Sequence, residues 1–144
     1  MFACEHFGIQ PDMITLSKSL GAGLPIGAVV VNDEKFPNLE QGMHSGSLHA
    51  SPVPTAAAIA NIDFIIKNKL VEQSERHGAY ALARLRELQK NCRAIKDARG
   101  LGLMIGIEFH KTEIRDKILE KCLADGLLLA PAGEKTIRFT PPLI

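Results

Sequence analysis

The chain has 144 residues, 46% hydrophobic and 23% charged, a composition typical of a soluble globular protein. Its net charge of +1 gives no electrostatic reason to expect nucleic acid or an anionic membrane as a partner, and no apolar run approaches the roughly 20 residues of a membrane span. The three cysteines (Cys4, Cys92 and Cys122) fit neither a disulfide framework nor a zinc-ligand spacing, so we expect reduced thiols, no metal and a cytoplasmic location.

Two short strands are predicted near the start of the chain. "DMITL" reads as a buried strand that ends before Ser17, and "IGAVVVND" as a second strand of β-branched residues with a polar stop. A glycine-rich loop that contains Lys18 joins them. Residues 34–50 contain Pro37, Gly42 and Gly46, and we expect loop or short turns there.

A long helical region is predicted next. Ser51 is a plausible N-cap, and Pro52 falls at the first helical position, where a missing N–H costs nothing. Isoleucines then recur at helical spacing and predict a stripe packed on the core, which continues to about residue 90. Gly78 is expected to weaken this helix only slightly. The stripe begins with Ile59, Ile62 and Ile66.

The last third of the chain has a different pattern. "LGLMIGIEF" alternates apolar residues (Leu101, Leu103, Ile105, Ile107 and Phe109) with a glycine-lined back face, which predicts a half-buried strand. A helix capped by Thr112 and closed by Gly126 follows, and "TIRFT" reads as a final strand. The alternation of strands and helices predicts an α/β class, with one domain over residues 1–90 and a small α+β domain over 91–144.

The glycine-rich loop raises the question of what Lys18 does. A P-loop is excluded because both required glycines are missing, and G-x-G-x-x-G fails because Gly21, Gly23 and Gly27 are spaced one residue too long. Two interpretations remain open on the residues alone. Lys18 is either a solvated loop lysine or a lysine that forms a Schiff base, partly desolvated at a strand end and beside glycines that let a flat cofactor approach.

Several segments together carry a resemblance to a known family. "PDMITLSKSLGAGLPIGAVV" resembles the lysine segment of the class III pyridoxal-phosphate aminotransferases, the ornithine, acetylornithine and 4-aminobutyrate group. The segments "MFACEHFGIQPD", "HSGSLHASPVPTAAAIA", "DARGLGLMIGIEF" and "IRFTPPL" resemble further family segments, in the right order. The resemblance implies a fold-type-I transferase, with part of the large-domain sheet in residues 1–90 and part of the small C-terminal domain in 91–144.

The resemblance also implies roles for single residues. Lys18 would form the internal aldimine, a Schiff base with pyridoxal 5'-phosphate, and would then act as general base and general acid. Ser47 aligns with a threonine that reaches the cofactor phosphate, and Arg138 with an arginine that holds the substrate carboxylate in several members. Arg99 is expected to be structural. The family's "F-G-G-N" is replaced by Leu48–Ser51, so the phosphate loop is expected to differ.

The function implied is transamination between an amino acid with a terminal amine and a 2-oxo acid, in a cytoplasmic homodimer with no nucleic-acid or membrane partner. The aspartate that pairs with the pyridine nitrogen, in a D-E-V-Q-like motif, has no match in the chain, so we expect an internal fragment of the enzyme. Two alternatives stay open. One is a racemase or aminomutase of the same fold, and the other is a non-catalytic truncated piece.

Overall fold

A computed structural model describes residues 1–38 and 40–144, and its chain divides into two compact units, Met1–Asn68 and Lys69–Ile144. The first unit contains a short 3₁₀ turn, two strands, a second 3₁₀ turn that we call the lysine turn, and one helix. Their bounds are Ala3–Phe7, β1 Met13–Leu16, β2 Ala28–Val31, the lysine turn Lys18–Gly21, and α1 Pro52–Lys67.

The strands of the first unit form an antiparallel pair. Met13 lies opposite Val31 and Leu16 opposite Ala28, so the lysine turn and the loop after it form the connection of this hairpin. The two strands predicted from sequence are therefore present, and residues 40–50 form turns and bends, as expected, but β1 is not the buried strand that was predicted, since its residues alternate between exposed and half-buried.

Helix α1 begins after Ser51, with Pro52 in its first turn, as the sequence predicts. The predicted core stripe is wrong in part, because Ile59 and Ile66 are 58% and 59% exposed, whereas Ala58 is buried. The helical region is also not continuous. Lys69 has φ +51°, a left-handed conformation that ends the first helix and starts a second without glycine or proline.

The second unit is a four-stranded antiparallel sheet with two helices. The bounds are α2 Leu70–Asn91, β3 Ile95–Leu101, β4 Met104–Phe109, α3 Thr112–Ala124, β5 Ala130–Ala132 and β6 Thr136–Phe139. The strand order is β3-β4-β6-β5, and each neighbouring pair is antiparallel. The core of this unit is built from Ile95, Phe109 and Ile137, against which α3 packs its apolar side chains.

The segment "LGLMIGIEF" differs from its prediction as a single strand. Leu101 ends β3, and Gly102, with φ +53°, turns the chain so that β4 begins at Met104. The alternation holds inside β4, where Ile105 and Phe109 are buried. Thr112 is the first residue of α3 and makes no side-chain capping bond, because the N-cap position belongs to Lys111.

The division between the compact units falls at residue 68, whereas the sequence analysis placed a domain boundary near residue 90. Helix α2 packs on β3 and β4, which groups it with the sheet that follows. This packing explains why residue 78 is a glycine, because a Cβ there would lie 2.0 Å from the carbonyl oxygen of Gly102. Ser74 supports the same contact, since its Oγ accepts a hydrogen bond from the Leu103 N–H at 3.1 Å.

Among the helices of the described residues, none combines the length and the apolar character that crossing a bilayer requires.

Candidate functional site

Lys18 lies at the point where the chain leaves β1. Ser17 is still extended, with φ −163°, and Lys18 then takes φ +55° as the first residue of the lysine turn. This left-handed conformation is uncommon for a residue with a Cβ and costs on the order of 1 kcal/mol or more. The surrounding structure must therefore hold it in place. The Lys18 side chain itself is exposed, so the partial desolvation expected for a Schiff-base lysine is not found in this unit.

The loop after Lys18 forms an open depression of about 550 Å³, lined by Ser17, Lys18 and residues 23–27. Gly21 is buried, and a Cβ at this position would lie 2.7 Å from Cγ2 of Ile26, so a larger residue there would force the Ile26 side chain to shift. Ser17 Oγ donates a long hydrogen bond, 3.4 Å, to the Ile26 carbonyl. The glycine-rich loop thus gives the Lys18 amine an open surface where a flat group has room to approach.

Asn61 holds the lysine turn from the side of α1. Its Nδ2 donates to the carbonyl oxygens of Ser19 at 2.8 Å and Leu20 at 3.1 Å. Inside the turn, the Leu20 N–H bonds to the Ser17 carbonyl and the Ala22 N–H to the Ser19 carbonyl. The sequence analysis did not find Asn61, because its partners lie 41 and 42 residues earlier and no local pattern marks the pairing.

Ser47 lies in the turn that follows Gly46, with its side chain exposed. It does not belong to the residues that line the depression beside Lys18. The ring of His49 stacks on His44 with centroids 4.7 Å apart, and it also lies against Gly46, where a Cβ would be 2.8 Å from Nε2. The histidine that replaces a family glycine therefore packs within its own loop.

Arg138 lies on β6 in the second unit, opposite Gly106 of β4 and Ala130 of β5. Its side chain is exposed, and within the described residues its guanidinium makes no hydrogen bond or ion pair. It is thus free to take a carboxylate, for which its planar fork is suited. Arg138 belongs to the second compact unit and Lys18 to the first.

Arg99, on the same sheet, is engaged by acids. Its Nη1 donates to carboxylate oxygens of both Asp97 and Glu108 at 2.8 Å, and these bonds, first the one to Asp97 and then the one to Glu108, raise the pKa of the guanidinium. Hydrogen bonds from Lys96, at 2.6 Å, and then from Arg99 lower the pKa of the Glu108 carboxyl. This surface network fits the expected structural role for Arg99.

Comparison with known proteins assigns the family. The model of the aminotransferase class-III family matches residues 1–144, the whole chain. The chain belongs to the class-III aminotransferase family. The family predicted from the five sequence segments is confirmed.

Individual members show the extent of the similarity. An acetylornithine aminotransferase of Methanothermobacter thermautotrophicus is 39% identical over 144 residues, 100% of this chain and 36% of the relative. A leucine/methionine racemase of Thermococcus litoralis is 38% identical over 99% of this chain and 34% of its own length. The ornithine aminotransferase structure from Toxoplasma gondii ME49 superimposes with a TM-score of 0.88 and 32% identity, covering 98% of this chain and 34% of that one.

The predicted fold class, part of a fold-type-I transferase, is confirmed, because nearly the whole chain superimposes on an aminotransferase structure. The chain spans about a third of the length of the relatives it matches. The domain limits at residues 1–90 and 91–144 remain a prediction about the longer fold, as do the roles of Lys18, Ser47 and Arg138.

Proposed function

We propose that the protein acts in pyridoxal-phosphate-dependent transamination, with Lys18 as the residue that holds the cofactor. The observation that carries this proposal is the exposed Lys18 side chain, presented from a left-handed turn into a depression lined by a glycine-rich loop. The residues present fit the aldehyde end of the cofactor, since Gly23 and Gly27 add no Cβ to the depression and Lys18 supplies a primary amine. The similarity to aminotransferases over the whole chain supports the assignment.

The cofactor supplies an electron sink when it is bound, and the chain supplies the groups around it. Lys18 Nζ would hold the cofactor at its aldehyde carbon and, once the substrate amine has displaced it, would carry the proton from the amine-bearing carbon of the substrate to C4′ of the cofactor. Ser47 would donate its hydroxyl to the phosphate, and Arg138 would bind a substrate carboxylate through both guanidinium nitrogens. The donor would be an amino acid with a terminal amine, of the acetylornithine, ornithine or 4-aminobutyrate type, and the acceptor a 2-oxo acid.

We further propose that the protein works as a homodimer in the cytoplasm. The dimer follows from the family resemblance, in which Ser47 would reach the phosphate in the neighbouring subunit. Free Cys4, Cys92 and Cys122 are compatible with a reducing compartment.

Absorbance after adding pyridoxal phosphate tests the cofactor site. We expect a band at about 410–430 nm in the unaltered protein and its loss in Lys18→Ala, because the imine absorbs there and the free aldehyde less so. Lys67→Ala is the matched control, since Lys67 is also an exposed lysine of the first unit, on α1. A band that persists in Lys18→Ala would contradict the assignment. Absence of any band would favour the non-catalytic alternative.

A racemase is the second candidate, favoured by the Thermococcus litoralis relative that bears that name. Incubation of the protein with a single L-amino acid and no oxo acid distinguishes racemisation from transamination. A racemase would form the D-amino acid, whereas a transferase would show no steady turnover until 2-oxoglutarate is added. Formation of D-amino acid without an acceptor would contradict transamination as the main activity.

A further inference from the structure

We propose that Asn61 is a positioning residue that fixes the lysine turn so that the Lys18 amine faces the depression. The inference rests on the proposed function of Lys18. It concerns a residue outside the lysine segment, on a different element of the same compact unit.

The lysine turn has few backbone hydrogen bonds of its own. It has four residues and starts with a left-handed Lys18, and such short 3₁₀ turns have weak hydrogen-bond geometry. The two N–H bonds inside it, from Leu20 and Ala22, measure 3.2 and 3.1 Å. A turn of this kind needs support from neighbouring elements to keep one conformation.

Asn61 supplies that support through two bonds from one amide. Its Nδ2 carries two hydrogens, and these reach two successive carbonyls, of Ser19 and Leu20. Because both partners are acceptors, only the nitrogen of the amide can face them, which fixes the orientation of the side chain. Bridging two successive carbonyls restrains two peptide planes directly after Lys18. Asn61 and Leu20 are partly buried, so water has less access to the bond with the Leu20 carbonyl than to the exposed bond with the Ser19 carbonyl.

The test compares Asn61→Leu, which keeps the outline of the side chain and removes both donors, with the unaltered protein. The first readout is amide hydrogen exchange at Leu20 and Ala22 without cofactor. The second is the rate at which pyridoxal phosphate modifies Lys18, trapped with borohydride and measured by peptide mass spectrometry. We expect roughly tenfold faster exchange at the two amides and a roughly fivefold slower modification of Lys18, the scale of one to two lost hydrogen bonds.

Thr55→Val is the matched control, since it also exchanges a polar side chain of α1 for an apolar one of the same outline. Among the residues that the structure describes, the Thr55 hydroxyl donates to the carbonyl of Ser51, the N-cap of the same helix, so both readouts should stay unchanged at the lysine turn. This separates positioning of Lys18 from a general loss of helix stability. If Asn61→Leu does not fold, Asn61→Asp serves as the second variant, because it removes both N–H donors and keeps a polar side chain of the same size. In that case only amide hydrogen exchange is measured.

The outcomes distinguish this inference from the proposed function. Selective modification of Lys18 in the unaltered protein, with unchanged exchange or unchanged modification in Asn61→Leu, would overturn the role of Asn61 alone. Modification of Lys18 no faster than that of Lys67 in the unaltered protein would overturn the proposed function, and with it any positioning role. Faster exchange together with slower modification would support both.

Discussion

The contact between α2 and the turn from β3 to β4 predicts that Gly78→Ala destabilises the protein. A Cβ at residue 78 would lie 2.0 Å from the carbonyl oxygen, 2.3 Å from the carbonyl carbon and 2.7 Å from the Cα of Gly102. These are backbone atoms, so no side-chain rotation relieves the overlap. Helix α2 would have to move away by about 1.4 Å or more to reach ordinary contact distances.

Two opposing effects determine how much Gly78→Ala changes the free energy of unfolding. In an ordinary helix, alanine is more stable than glycine by roughly 0.5–1 kcal/mol, so an unpacked position would gain stability. Overpacking costs roughly 1–3 kcal/mol, and displacement of α2 also threatens the bond from the Leu103 N–H to Ser74 Oγ, worth about 1 kcal/mol or more. We expect a net loss of roughly 1–3 kcal/mol, a considerable part of a typical free energy of unfolding.

Urea unfolding followed by circular dichroism measures the change. The matched control is Ala79→Gly, the reverse substitution at the next residue, which is exposed and should lose only about 1 kcal/mol through helix propensity. A midpoint that rises in Gly78→Ala would refute the reasoning, because it would mean that propensity alone acts at this position.

Three further outcomes are expected. Ser74→Ala leaves the Leu103 N–H without its acceptor and should lower the free energy of unfolding by about 1–2 kcal/mol in the same urea assay. Glu108→Gln should lower stability at neutral pH. The pKa of Glu108 in the folded protein lies below its ordinary value of 4.5, so the stabilisation from its carboxylate is fully present above pH 4.5 and is lost as the pH falls through the folded pKa. Glu108→Gln should therefore make the free energy of unfolding fall less steeply with decreasing pH. Glu120→Gln, at an exposed site, is the control and should leave that slope unchanged. Arg138→Lys, in the longer protein, should raise KM for the amino acid about tenfold or more with a smaller change in kcat, since a lysine cannot form the bidentate contact; an unchanged KM would argue against Arg138 as the carboxylate ligand.

The first unit was largely predictable because its signals are local. Runs of β-branched residues mark β2, Pro52 marks the start of α1, and the glycines after Lys18 mark the loop. The break at Lys69 was not predictable in the same way. A lysine with φ +51° has no compositional sign, and the apolar periodicity continues across it.

Strand β3 shows why other elements escaped prediction. Three of the seven residues in its sequence "IKDARGL" are charged, and a register shift between Ile95 and Asp97 disturbs the two-residue period. Its buried residues, Ile95 and Ala98, are therefore three apart, and the strand forms because β4 pairs with it and α2 covers it. Lys18 could be found from its segment, whereas Asn61 acts through a contact that exists only after folding.

Gly106 separates two arginines on the sheet of the second unit. In the pairing register it lies opposite Arg99 on one side and Arg138 on the other, so the three positions form a row on one face. A methyl group at residue 106 would already lie 3.3 Å from Thr136 Cγ2, which leaves little room for any side chain. The guanidinium of Arg138 therefore has a strip of bare backbone beside it. The missing side chain at Gly106 therefore sets how far the Arg138 guanidinium can move. A substitution at residue 106 would change the reach of Arg138 without itself contacting the substrate carboxylate.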